Sequence, residues 1–98
     1  MRLVILPSAR EDLAEGFAFY EQQGEGLGDY FLETLFSDID SLRLYAGIHR
    51  RVFGLQRLLS RRFPFAIYYE READAVLIHA VLDCRRDPAW IRSQLKHL

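Results

Sequence analysis

The polar side chains that could do chemistry crowd into the second half of this sequence: Arg57, Arg61, Arg62, Tyr68, Tyr69, His79, Asp83, Arg85 and Arg86. A guanidinium group grips phosphate or carboxylate through a planar fork and stacks on bases, so such a set suits RNA or an acidic peptide laid over an open face. His79 falls in the alternating run Leu77, His79, Val81 and is expected to share a face with apolar neighbours. That placement favours a hydrogen-bonded structural histidine over a catalytic one. Asp83 closes the same face, but four residues along a strand is about 13 Å, too far for a direct relay. Tyr68 and Tyr69 point to opposite faces, one towards the core and one free to stack or to donate its hydroxyl. Cys84, beside two arginines, has no other support for nucleophilic chemistry and reads as structural. Phosphate-cradling glycine loops, nucleophile elbows and zinc-ligand spacings do not occur, so neither cofactor nor metal is expected.

Charge is divided along the chain. From Met1 to Ile48 there are three basic residues against nine acidic ones, and from His49 to Leu98 ten basic against five acidic, although the whole chain carries only −1. Twelve of the thirteen basic residues are arginine. The second half therefore offers an anion-binding surface, unless these arginines pair with the acidic helices or simply solvate the exterior. The 98 residues make one domain, 1–98, with room for a thin core and an open groove rather than an enclosed pocket. A single cysteine suits a reducing cytoplasm, and the apolar run Leu3 to Leu6 is too short for a signal peptide or a membrane span.

The elements that must position these residues follow from periodicity. Arg2 to Leu6 reads as a strand ended by Pro7. Ser8-Ala9-Arg10-Glu11 has the form of a capping box opening a helix whose buried stripe is Ala9, Leu13, Phe17 and Tyr20. Gly24 and Gly26 end it, and Leu27, Phe31, Leu35, Ile39, Leu42 and Ala46 mark a second helix that reaches to about Gly47. So short a link makes the two an antiparallel hairpin. Strands are expected at Leu55 to Arg62, Phe65 to Glu70 and Ala75 to Asp83, with Phe65, Ile67 and Tyr69 on one face and Ala66 and Tyr68 on the other. Asp87-Pro88 caps a last helix carrying Trp90, Ile91 and Leu95. Phe17, Phe31, Phe36 and Trp90 read as core or interface aromatics. The order is β-α-α-β-β-β-α: an α+β domain with a helical hairpin packed on a small, mainly antiparallel sheet and a short C-terminal helix.

Two strings, Arg61-Arg62-Phe63-Pro64-Phe65-Ala66-Ile67-Tyr68-Tyr69 and Ala80-Val81-Leu82-Asp83-Cys84-Arg85-Arg86-Asp87-Pro88-Ala89-Trp90, resemble the RelE/ParE toxin superfamily. Ala9-Arg10-Glu11-Asp12-Leu13, Phe19-Tyr20-Glu21, Gly26-Leu27-Gly28 and Phe31 resemble the same family, so the likeness spans nearly the whole chain. It implies the toxin of a type II toxin-antitoxin pair, neutralised as a hetero-oligomer by a cognate antitoxin whose C-terminal segment wraps it. The RelE-like branch cuts mRNA on the ribosome, and the ParE-like branch poisons DNA gyrase. For a nuclease, the resemblance points to Arg57, Arg61, Arg85, Arg86 and His79 as catalytic candidates. For a ParE-like protein it implies Arg85, Arg86, Trp90 and Arg92 on the target, with Arg57, Arg61, Arg62 and Tyr68 on the antitoxin. Many members read Val-Leu-His where this chain reads Val81-Leu82-Asp83, and the last helix offers Trp90 and His97 but no tyrosine. No general base stands out, and the paired helices with the Phe63-to-Tyr69 string favour the ParE-like side. A non-toxic member that only binds its antitoxin is the third reading.

Overall fold

The structure, a computed structural model, describes residues 1–96; His97 lies outside them. The elements run β1 (Arg2–Ile5), α1 (Pro7–Gln23), α2 (Leu27–Asp40), α3 (Leu42–Tyr45), β2 (Arg51–Val52), β3 (Leu55–Leu59), β4 (Phe65–Glu72), β5 (Ala75–Asp83) and α4 (Pro88–Leu95). The expected α+β order is present, with a short strand and a short helix added. One sheet has the order β1-β5-β4-β3-β2, parallel at β1–β5 and antiparallel elsewhere. The α1–α2 hairpin covers one face, where Ala9, Leu13, Phe31, Leu35, Ile39 and Leu42 meet Phe65, Ile67, Tyr69, Val76, Ile78 and Val81. Helix α4 covers part of the other, placing Ile91 and Leu95 over Leu55, Ala66, Tyr68, Ala80 and Leu82.

Because α4 covers the second face, Tyr68 and Tyr69 are both buried, at 2% and 0% exposure, and neither is free to stack on a ligand. Phe31 is core, and Phe36, 45% exposed, lines an open groove beside Phe17 and Leu32. Ser8 does not cap α1. Pro7 takes the first helical position, Leu6 the cap, and the Ser8 hydroxyl donates instead to the His79 carbonyl at 2.6 Å. The long second helix breaks at Ser41, whose hydroxyl turns back to the Asp38 carbonyl at 2.6 Å, a side-chain bond that competes with the helical ladder.

Strand β3 stops at Leu59 rather than Arg62, because the Ser60 hydroxyl is drawn 2.7 Å onto the buried carboxylate of Asp38. Arg61 and Arg62 consequently lie exposed in the β3–β4 connection. Strand β2, unforeseen, joins β3 through Phe53 and Gly54, with φ of 53° and 88°. This is the I′ geometry that matches strand twist. It suits Gly54, but a left-handed Phe costs on the order of 1–2 kcal/mol. Strand β5 is also irregular. Tyr68 pairs with Ala80 and Tyr69 with Ile78, leaving His79 as the extra residue of a bulge. The bulge breaks the expected Leu77, His79, Val81 face: Val81 joins Val76 and Ile78 beneath the hairpin, and His79 does not.

The hairpin itself depends on two glycines. A Cβ at Gly16 would overlap the buried Phe31 ring, and one at Gly28 would stand 2.7 Å from the Phe17 ring and 2.9 Å from the Phe17 carbonyl oxygen. Glu21 completes the connection by accepting the N–H groups of Gly26 and Gly28 at the start of α2. Gly28→Ala should therefore lower unfolding stability by about 1–3 kcal/mol, measured by urea titration, since a backbone oxygen cannot yield as a side chain can.

Candidate functional site

The arginines singled out by the sequence do not form one cluster. Arg57 stands on β3 opposite Tyr68 of β4, on the α4 side of the sheet. Burial raises the Tyr68 phenol above its ordinary pKa, and the Arg57 guanidinium beside it pulls the other way. Cys84 belongs to the same neighbourhood. Its thiol is raised by desolvation, with Arg57 again opposing, so it carries little thiolate at neutral pH.

Arg85 turns to the opposite side. Its backbone N–H and Nε donate to Asp83 Oδ1 at 2.8 and 3.0 Å, and Nη2 donates to Asp83 Oδ2 at 2.8 Å. Those bonds hold the Asp83 carboxyl below the usual carboxylate range and raise the guanidinium above its own. Asp83 is thus Arg85's partner, and no relay links it to His79. His79 lies next to Glu70, whose Oε1 is 3.4 Å from Nε2 but poorly aligned. Among the described residues both ring nitrogens are buried without a hydrogen bond.

Arg61 and Arg62 face α2. Together with Tyr30, Glu33, Thr34, Ser37 and Asp38 they line a shallow hollow, and Arg62 Nη1 donates to the Tyr30 hydroxyl at 3.0 Å. Behind that loop Tyr20, Phe31, Phe63 and Phe65 form a cluster of rings 4.9–6.2 Å apart. The Arg86 guanidinium sits over Trp90, its carbon 3.7 Å from the ring centroid. Asp87 accepts from the Ala89 N–H at 2.9 Å, the expected cap of α4. Arg92 reaches over Phe53, 5.5 Å from its centroid.

A groove of about 490 Å³ separates α1 from α4, lined in part by Glu11, Asp12, Glu15, Phe19, Arg86 and Trp90. Asp12 accepts the Val81 N–H at 2.9 Å. Desolvation raises its pKa to about 6, the Val81 bond opposes this, and the charges of Glu15 and Glu11 add to it. No sequence pattern singled out Asp12. Tyr69, singled out by the sequence, turns its hydroxyl inward, where it accepts from Gly47 N–H at 3.1 Å and bonds the His49 Nδ1, tying the α3–β2 connection to the core. Burial raises the Tyr69 phenol and lowers His49. Among the described residues no group of three His, Cys, Asp or Glu is placed to hold a metal, and no helix is long and apolar enough to cross a membrane.

No protein-family model and no curated protein sequence matches this chain. Among solved structures it is similar to a chain of the chromosomal ParDE TA system from P. aeruginosa. The two share 20% identity, the TM-score is 0.69, and the match covers 83% of this chain and 92% of that one. The two chains therefore have the same fold.

Asp12 supplies a pH signature. Its folded pKa, about 6, exceeds the ordinary 3.8, so the folded state holds the proton more tightly. The contribution to stability is full below about pH 4 and is lost as pH rises through about 6. Asp12→Asn keeps an acceptor for Val81 without titrating. Urea titrations from pH 4 to 7 should show wild type losing about 1–2 kcal/mol relative to the variant, the partial exposure of the groove damping the full shift.

Proposed function

We propose that this protein is the toxin of a type II toxin-antitoxin pair, held in the cytoplasm by a cognate antitoxin and acting on DNA gyrase by binding. The fold shared with a chain of a ParDE system supports membership of such a pair. The observation that favours binding over RNA cleavage is Arg85: both arms of its fork are committed to Asp83, where cleavage would need them turned to a phosphate. His79, buried beside Glu70, and Arg61, on the α2 side, do not converge with it. Arg86 and Trp90, in contact and facing a groove, are better placed to meet a protein target, with Arg92 further along α4.

The antitoxin would lie over the hairpin and the arginine-rich edge. A groove of about 470 Å³ across α1 and α2 is lined by Ile5, Arg10, Leu13, Ala14, Phe17, Leu32 and Phe36, suited to the apolar side of an amphipathic segment. Acidic residues on that segment would meet Arg61 and Arg62, which face α2, while Arg57 and Tyr68, on the α4 side of the sheet, would need a separate stretch of the antitoxin. The alternative, a RelE-like ribosome-dependent endonuclease, draws support from Arg57 facing the Tyr68 hydroxyl.

Induction in a bacterial host, with DNA and protein synthesis followed separately by pulse labelling, tests the reading. DNA synthesis should fall first, and Arg86→Ala should weaken the arrest at least tenfold while Arg85→Ala changes it only a few-fold. Protein synthesis falling first, with mRNA cut in an Arg57-dependent way, would establish the endonuclease instead. Normal growth with soluble protein present would mark a member that only binds its antitoxin.

A further inference from the structure

From the connection between α3 and β2 we infer a docking surface for an anionic lipid bilayer, with Leu44, Tyr45 and Ile48 entering the interface and Arg50, Arg51 and Arg71 meeting the headgroups. Neither the toxin reading nor its target enters this inference.

Three large apolar side chains, close together in the sequence, are left out of the fold. Leu44 is 81% exposed, Ile48 74% and Tyr45 54%, and none of them belongs to either apolar cluster. Their backbone is nonetheless held in place. Leu42 and Ala46 pack into the hairpin core, the Tyr69 hydroxyl accepts the Gly47 N–H, and Gln56 Nε2 donates to the His49 carbonyl at 3.0 Å. The connection is therefore a fixed turn that carries its apolar groups outward.

Positive charge surrounds that turn. From Ser41 to Tyr69 the sequence contains six arginines and no Asp or Glu. Arg50 is exposed beside His49, and the Arg71 guanidinium comes against Gly47. The charges of Arg51 and Arg71 both act on the Tyr69 hydroxyl that holds Gly47. Glu70 and Glu72 alternate with Arg71 along β4 and so point to the opposite face of the sheet. Asp40, before the turn, is bound by Arg43 at 2.7 Å.

A bilayer suits this arrangement better than a protein does. Side chains exposed to this extent stand clear of the surface, so a protein partner would have to supply a hollow for each, whereas hydrocarbon takes apolar groups of any shape. A tyrosine ring with its hydroxyl in water suits the membrane boundary, and arginine stems lie along acyl chains while their charged ends meet phosphate. Each cation near an anionic leaflet adds about fivefold to partitioning.

The test sediments the purified full chain with vesicles of phosphatidylcholine, alone or mixed with phosphatidylglycerol. Binding should be confined to the anionic vesicles and should weaken as salt rises. The double variant Leu44→Ser, Ile48→Ser should lower the partition constant at least tenfold, roughly the loss of a few buried methylenes. Arg50→Gln with Arg71→Gln should lower it roughly twentyfold. Arg61→Gln with Arg62→Gln removes the same charge at the other end of α2 and should bind within about twofold of wild type. Circular dichroism checks that each variant is folded. An equal loss in the Arg61, Arg62 variant would reduce the effect to net charge and overturn the proposal, as would undiminished binding by folded Leu44→Ser, Ile48→Ser. Wild type that ignores anionic vesicles would also overturn it and leave the turn to a protein partner.

Discussion

A nine-residue strand lying beside a four-residue one must satisfy its surplus backbone groups elsewhere, and this fold is arranged around that requirement. Strand β1 pairs with Ala75 to Ile78 of β5 and then ends, while β5 continues to Asp83. Helix α1 takes over. Leu6 N–H reaches the Ile78 carbonyl, the Ser8 hydroxyl reaches the His79 carbonyl, and the Asp12 carboxylate accepts from Val81. An unpaired buried peptide group costs as much as a lost hydrogen bond, so the first two turns of α1 are tied to the strand they cover. With α1 placed, the glycine contacts bring α2 against it, and the aromatic cluster closes over the end of the sheet.

What could be read from the sequence was what local chemistry decides. Strand β5 and the start of α4 were legible because the Arg71-to-Asp74 turn, a run of alternating apolar residues and the Asp87-Pro88 cap each act within a few residues. The hairpin was legible because its buried positions repeat every three or four residues. Features set by distant partners were not. The bulge at His79 reflects the pairing of β5 with β4 on one side and α1 on the other, and its one-residue slip overturned the expected face of every residue before it. Ser8 fits a capping box in isolation but serves a carbonyl seventy-one residues away.

The candidate site divides in the same way. The arginines were legible as a group because they are concentrated after His49. Their separation onto both faces and the end of the sheet was not, since alternate residues of a strand diverge and the chain turns at Cys84 and Arg85. Pairing decides what each can do: Arg85 is neutralised by Asp83, Arg86 is shielded by an indole, and Arg57 is set against a buried phenol. A count of positive charge therefore overstates the surface that an anion would meet.

The placement of Arg86 over Trp90 has an optical consequence. The sequence contains one tryptophan, and it lies at the groove between α1 and α4 with a guanidinium 3.7 Å from its ring centroid. Its fluorescence is governed by a single, defined environment, so the intensity and wavelength of its emission report directly on whether that cation is in place. The chain thus carries a built-in probe for any molecule that enters the groove and lifts Arg86 away, with no label attached.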